Sequence, residues 1–502
     1  MHSFEEATID RIHNAYQDGL CTCRTLIQWY LNRIDKYDAI INSIITINPQ
    51  ALAEADACDA KIRQNGITAP LMGIPVLVKD NIETAGMPTT AGSIALQNYR
   101  PAEDAPLIRA LRRAGAIILG KTNLHEFAIW GETISSIKGQ TYNPYDFSRT
   151  PGGSSGGTGA AIASNFAVLG IGTDTVNSVR SPASANALVG IRPTHGLIND
   201  AGIVPYARCQ DTAGPICRTV TDAAVTLAII AGNADDFRGM QSRVSVYQNA
   251  IHHASLSGKR IGILTPFWGT APIHDAVNAQ MASVLELLKI NGVTCIDVTS
   301  LSAASTVDVH SNELSTNNEI TMPFDAHWLV ENVSLHLYAF KDDLNSFLKA
   351  HCDATTVQSL SEIIEKKLYH PNIESHLKEA LRYDQHSAAF ARRKATSEAL
   401  RLSLTALFDR LKLDALVYPH QQRLVCKVGE RQLDRNGVLS AISGFPAVTV
   451  PAGFSSPSLE APIGVPIGVE FLGRPYDEAE LIAIAYAFEQ LTHYRRAPQE
   501  AK

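Results

Sequence analysis

An α/β fold with buried strands is the architecture this sequence predicts, on three observations. Apolar residues make up 45% of the 502-residue chain and charged residues only 19%, which suffices for a large core. Short, unbroken apolar runs bounded by Gly, Pro and Asn recur along the chain. Segments with helical periodicity lie between them, and buried strands alternating with helices make an α/β sheet.

Residues 5 to about 65 read as helical: Leu26, Trp29, Tyr30 and Ile34 recur at helix spacing, and Ala51 to Ile62 is alanine-rich. Strands are predicted at Ile74–Val78, Ala116–Leu119, Ile261–Leu264, Ala415–Tyr418, Ala447–Val450 and Val465–Val469. Pro106–Arg113 reads as a helix with its Pro in the first turn, where a missing N–H costs nothing. Asp477–Leu491 reads as another, opened by Asp477 and Glu480 at capping-box spacing. Residues 300–400 are polar, then mostly helical, and no Pro/Gly/Ser linker sets them apart. The chain 1–502 is therefore expected to be one domain.

The formal net charge of −7, with no gathered run of Lys or Arg, gives no footprint for nucleic acid. No apolar stretch is long enough to span a bilayer. Met1–Asp10 lacks the basic start and apolar stretch of a secretory signal. The eight cysteines are scattered without zinc or CxxC spacing, so they read as free thiols in a reducing cytosol. A cytoplasmic protein is the expectation.

Three motifs compete. Gly115-Ala-Ile-Ile-Leu-Gly120-Lys121-Thr122 fits the P-loop pattern, but its central residues are strand formers, where a phosphate cradle needs a flexible loop. It reads as a core strand. Gly152-Gly-Ser154-Ser155-Gly156 fits the GxSxG elbow, yet Tyr145–Pro151 before it is no hydrophobic strand. The third reading takes the stretch whole. Pro151–Gly157 opens a small-residue helix at Thr158–Ser164, the apolar run Phe166–Ile171 follows, and then comes Gly172-Thr-Asp-Thr-Val-Asn-Ser178. Glycines there permit close backbone approach at a helix start.

In these pieces the sequence resembles the amidase-signature family. The match includes Gly73-Ile-Pro-Val-Leu-Val-Lys79-Asp-Asn81, Gly120–Asn123, Glu126-Phe-Ala128 and the stretch from Pro151. It continues through Gly190–Thr194, Asp211–Pro215 and Phe445–Gly453, so that it runs from about residue 5 to 495 with only the middle unmatched. The resemblance implies an α/β fold with a large twisted mixed β-sheet covered by helices. N-terminal helices would occupy 1–65, a catalytic core 66–230, a helical cover of the substrate pocket 300–400, and the last part of the sheet 410–495. It also implies a catalytic lysine at Lys79, a cis-peptide serine at Ser154 and a nucleophile at Ser178.

The chemistry then implied is amide hydrolysis through an acyl-enzyme. A serine attacking an amide must lose a proton, and the leaving amine must gain one. A lysine serves as base only when neutral, and burial after the apolar run Ile74–Val78 would favour that form. Ser154 would relay the proton, since a hydroxyl donates and accepts at once. Backbone N–H groups of Thr175, Val176, Asn177 and Ser178 would hold the oxyanion. No metal or organic cofactor is required.

Val176-Asn177 departs from the family's Gly-Gly. Val176 is expected to keep negative φ, leaving Asn177 as the one residue of the loop able to turn left-handed. Ser155 reads as a helix cap, Asp174 as a turn acid, Glu126 as a buried structural acid, and Arg180 as a fixer of the loop rather than a substrate contact. Trp130 and Gln210 are candidate pocket residues, Trp130 equally an ordinary core residue. The substrate is expected to be a small amide or ester. Amide formation from the same acyl-enzyme, a role within an amidotransferase complex, an inactive scaffold and a homodimer remain open alternatives.

Overall fold

The computed structural model describes residues 4–232, 235–300, 306–307, 314–315, 325–353 and 356–499. Its centre is an eleven-stranded sheet. In chain order the strands are β1 (Ile44–Ile47), β2 (Pro75–Lys79), β3 (Ile117–Thr122), β4 (Leu169–Asp174), β5 (Val189–Arg192) and β6 (Thr212–Cys217). Then follow β7 (Arg260–Leu264), β8 (Thr294–Val298), β9 (Ala415–Pro419), β10 (Ala447–Phe454) and β11 (Pro466–Leu472). Across the sheet their order is β1-β3-β2-β4-β6-β5-β10-β11-β9-β7-β8. Strands from both ends of the chain thus share one sheet. Parallel pairs (β3–β2–β4 on one side, β9–β7–β8 on the other) flank a central antiparallel run from β4 through β6, β5, β10 and β11 to β9, so the sheet is mixed.

All six predicted strands are present. The predicted helical start is corrected in one place. Helices α1 (Ile9–Gln17), α2 (Cys23–Ile41) and α3 (Ala51–Asn65) form, but β1 interrupts them. Ile44-Ile-Thr-Ile47 is a β-branched run, which prefers the pleated surface to a helix. Asn42 makes the break by ending α2 in the left-handed conformation (φ 60°). β1 then pairs antiparallel with β3. Their approach explains Gly120, where a Cβ would collide with the Thr46 carbonyl.

Ile117–Thr122 of the P-loop-like segment form β3, buried throughout. Helix α4 (Pro106–Arg113) carries its Pro in the first turn as expected. The helix Glu478–Thr492 also forms, but without a capping bond from the Asp477 side chain. Glu480 instead pairs with Lys259, which removes the second half of the capping box.

From 326 to 411 the described elements are helical: Ala326–Asn332, His336–His351, Leu360–Glu365, Glu374–Ala380 and Ala388–Leu411, with a short 3-10 turn at Pro371–Ile373. Residues 301–305, 308–313, 316–324 and 354–355 of the expected elaboration lie outside the described residues. None of the described helices is long and apolar enough to cross a membrane.

Candidate active site

Strand β2 ends on Lys79, and β4, its parallel neighbour, brings Thr173 alongside. The Lys79 ammonium position is fully buried. Nζ lies 2.7 Å from Ser154 Oγ and 2.8 Å from Thr173 Oγ1, with the Thr173 carbonyl at 3.4 Å. No carboxylate forms an ion pair with it among the described residues. Asp80, the neighbour in sequence, lies against Lys121 instead, at 3.3 Å. Burial pulls the Lys79 ammonium down to about 7, with the charges of Asp174 and Asp211 acting against the fall. A substantial neutral fraction at neutral pH follows.

Ser154 sits in the loop between Pro151 and α5 (Gly156–Ala163), and the Gly153–Ser154 peptide bond is cis. The loop packs tightly. The Ser154 carbonyl accepts from His125 N–H at 3.0 Å, and a Cβ on Gly153 would stand 2.8 Å from the Gly131 carbonyl carbon. Ser155 occupies the N-cap position but does not cap the helix. Its Oγ turns to β4, donating to the Thr173 carbonyl at 3.1 Å and accepting from Thr173 N–H at 3.3 Å. The capping expectation is therefore corrected, and the reason is local. The N–H of Gly157, one of the two an N-cap side chain serves, already donates to the Asn123 carbonyl at 3.1 Å.

Ser178 stands in the loop between β4 and α6 (Arg180–Ala185) and is 6% exposed. Its carbonyl accepts from Ser155 N–H at 3.3 Å, which sets it beside the Ser154 loop. Its hydroxyl takes no hydrogen bond from Ser154 or Lys79 among the described residues, so the structure joins two of the three implied residues directly. Catalytic hydrogen bonds are often loose before substrate binds. The N–H groups of Thr175, Val176, Asn177 and Ser178 likewise have no acceptor among the described residues. Neither Val176 nor Asn177 has positive φ. Val176 meets its expectation, and the loop needs no left-handed residue at Asn177. The Val176 side chain belongs to a hydrophobic cluster with Leu439 and Tyr418.

A buried charge network holds this loop. Asp174, expected in a turn, closes β4 and is fully buried. It meets Arg180 at 3.1 Å and Arg192 at 3.0 Å, and accepts from Val179 N–H at 3.0 Å. Burial alone would raise its carboxyl, but the two guanidiniums outweigh that and hold it well below the usual carboxylate range. Arg180 also donates to the Val176 carbonyl (2.8 Å) and to Glu470 (2.5 Å). Thr175 Oγ1 donates to Asp211 at 2.5 Å. Gln210 is buried and fully engaged, its amide joining the Thr175 carbonyl (3.1 Å) to Ser334 and Leu335 at the start of the helical region. Trp130 lies further out, edge-on to His125 and His376, with the Arg431 guanidinium 3.4 Å from its ring centroid. Glu126 is buried and accepts from the N–H groups of Ser136 and His370, both at 2.9 Å. Burial raises its carboxyl to about 7.

Sequence reasoning missed Thr173 as a partner of Lys79 and Glu470 as an anchor of Arg180. The second had a signal: Glu470 is a lone acid inside the apolar run of β11, and a buried acid there needs a cation.

The fold and site together define an α/β protein with a large mixed sheet and a buried lysine–serine contact beside a small-residue loop. The chain belongs to the amidase family, whose model matches residues 25–482. It is 32% identical to a probable amidase of Arabidopsis thaliana, over 99% of this chain and 92% of that one. It is 31% identical to a glutamyl-tRNA(Gln) amidotransferase subunit from Thermoanaerobacter pseudethanolicus, over 94% and 93%. Native peptide amidase from Stenotrophomonas maltophilia shares the fold with a TM-score of 0.83 at 32% identity, covering 99% of each chain. Family membership supports an enzyme that acts on carbon–nitrogen bonds.

Proposed function

We propose that the protein hydrolyses a small carboxylic amide through an acyl-enzyme on Ser178. The observation that carries this reading is Lys79, buried, without a counter-ion among the described residues and 2.7 Å from Ser154 Oγ. Ser178 Oγ attacks the amide carbon as its proton passes to Ser154, and the Ser154 proton passes to Lys79 Nζ. The negative carbonyl oxygen of the tetrahedral intermediate takes hydrogen bonds from the free N–H groups of residues 175–178. The carbon–nitrogen bond breaks, and the departing nitrogen recovers a proton from Ser154, itself resupplied by Lys79. Water attacks the ester on Ser178 by the same relay and releases the acid. The helices from 326 onward, tied to the oxyanion loop through Gln210, cover the substrate.

Fluorophosphonate labelling followed by intact-mass spectrometry tests this. One adduct is expected on the wild type and none on Ser178→Ala; an adduct that survives Ser178→Ala overturns the assignment. The 31% identity to an amidotransferase component favours a second reading, in which an amine or ammonia acceptor takes part. Product analysis with and without added amine separates the two.

A further inference from the structure

The segment after β9 crosses both serine loops. Gly437 packs on the residue before Ser178: a Cβ there would stand 2.6 Å from Asn177 Cβ and 3.1 Å from Arg180 Nη1. Just upstream, Arg435 lies beside the other loop. Its Nη1 is 3.6 Å from the position of a Cβ on Gly131, and the Gly131 carbonyl packs on Gly153, the residue before Ser154. The guanidinium therefore stands at the edge of the space where the reacting carbonyl must sit. Tyr206 and His336 back the oxyanion loop of the same space. Tyr206 N–H donates to Asp211, which also accepts from Thr175 Oγ1. His336 Nδ1 lies 2.6 Å from Ser334 Oγ, itself bonded to Gln210.

Arg435 is half-buried, yet among the described residues its guanidinium makes no hydrogen bond and no ion pair, and its nitrogens stay open to solvent. Its charge is felt nearby. Burial, then His376 and Arg435, push His336 down to about 3, and Arg435 opposes the rise that burial causes at Tyr206. Burial also takes His376 down to about 4, with Arg431 adding to the fall, so neither ring is charged at neutral pH. The carboxylates of the region are committed elsewhere. Asp434 pairs with Arg423 at 3.3 Å, and Asp211 takes hydrogen bonds from Thr175, Tyr206 and Ala207. Glu132 lies 3.5 Å from Arg431 and accepts from Gln432 N–H at 2.9 Å. The other cations are engaged as well: Arg431 lies over Trp130, and Arg393 donates to the Ser334 carbonyl at 2.9 Å.

A planar guanidinium that stays charged fits a carboxylate with two parallel N–H bonds. A hydrocarbon would cover the charge without pairing it, an ammonium would be repelled, and a phosphate, more highly charged, would call for a second free cation. We propose that Arg435 is a specificity residue that binds a carboxylate carried by the substrate, so that amides bearing an acid group are preferred to neutral ones. This rests on Ser178 and Ser154 being the catalytic serines, because that role puts the scissile amide between the two loops that the Arg435 segment crosses.

Two substrate series separate the places the carboxylate can occupy. Monoamides of succinic, glutaric, adipic and pimelic acid carry it on the acyl part. N-hexanoyl derivatives of glycine, β-alanine and 4-aminobutyric acid carry it on the amine part. Each is compared with the methyl-terminated amide of the same length, in kcat/KM and in protection against fluorophosphonate labelling. At one length in one series the carboxylate should win by at least about tenfold, the scale of a charge-assisted pair. Arg435→Met should bring that ratio to about two or below, and Arg435→Glu should reverse it in favour of the ammonium-terminated amide. A ratio is unaffected by general loss of activity, and the wild-type comparison stands even where a variant does not fold. Wild-type ratios near or below one throughout both series overturn the subsite, and so does a preference that survives Arg435→Met. A wild type that neither labels nor turns over any amide overturns the hydrolase reading itself, which is a different result.

Discussion

Two lysines are fully buried at the ends of neighbouring strands, and they live in opposite surroundings. Lys121, on β3, lies 3.3 Å from Asp80 and donates to the Ile82 carbonyl (2.7 Å) and Thr89 Oγ1 (3.0 Å). Lys79, one residue past the Val78 that pairs with Lys121, meets only hydroxyls and a carbonyl among the described residues. Burial pushes both ammonium groups down, but Asp80 opposes the fall at contact distance for Lys121, while Asp174 and Asp211 act on Lys79 without forming an ion pair. A buried cation with a partner and full hydrogen bonding is structural. One without a partner is available to exchange its proton.

This contrast breaks first at the reaction. Ser178→Ala should lose turnover by a factor on the order of 10⁵–10⁶, since members of a coupled set fail together. Lys79→Met should lose nearly as much in kcat, and Lys79→Arg should not recover it, because a guanidinium stays protonated. Wild-type activity should rise with pH through about 7, as Lys79 loses its proton. A rate that is flat across that range, or a Lys79→Met enzyme with a tenth of wild-type kcat, would remove Lys79 from the role.

The next effect is on stability and has opposite sign at the two lysines. Lys121→Met leaves the Asp80 carboxylate buried without its cation and should cost about 3–5 kcal/mol. Lys79→Met removes a buried group with no counter-ion among the described residues and should leave stability at pH 7 unchanged or raised. The pH dependence follows from the folded value of about 7, against an ordinary 10.5. Between those values the unfolded chain holds a proton that the folded one has lost, so wild-type stability rises with pH. It should gain on Lys79→Met by at most about 1.4 kcal/mol per pH unit. Chemical denaturation at pH 7 and 9 checks both signs.

Much of this was legible in the residues. The six predicted strands are continuous apolar runs, which only a buried sheet accommodates, and the lysine–serine pair follows from family motifs. Strands β5, β6 and β8 do not stand out in the same way. Thr212–Cys217 contains Gly214 and Pro215, which read as turn residues until a neighbouring strand is known. β1 is hidden inside helical surroundings because four residues are too few to set a period. Asp174 reads as a turn acid because its two arginines come from α6 and β5, and only tertiary structure brings those together.

Ser155 carries the smallest prediction and the most local one. A serine at an N-cap position that does cap can be replaced by glycine at a cost of only a few tenths of a kcal/mol, whereas alanine costs about 1. Here the hydroxyl bridges to both backbone groups of Thr173, the residue whose own hydroxyl lies 2.8 Å from Lys79 Nζ. Glycine supplies neither bond, so Ser155→Gly should cost at least as much as Ser155→Ala, about 1 kcal/mol each. Both should also lower kcat modestly, about two- to tenfold, because a small shift of Thr173 reorients the lysine that must meet Ser154. Urea denaturation of the two variants gives the comparison. A glycine variant clearly more stable than the alanine one would return Ser155 to the helix, and Thr173 would then hold its place beside Lys79 through the strand alone.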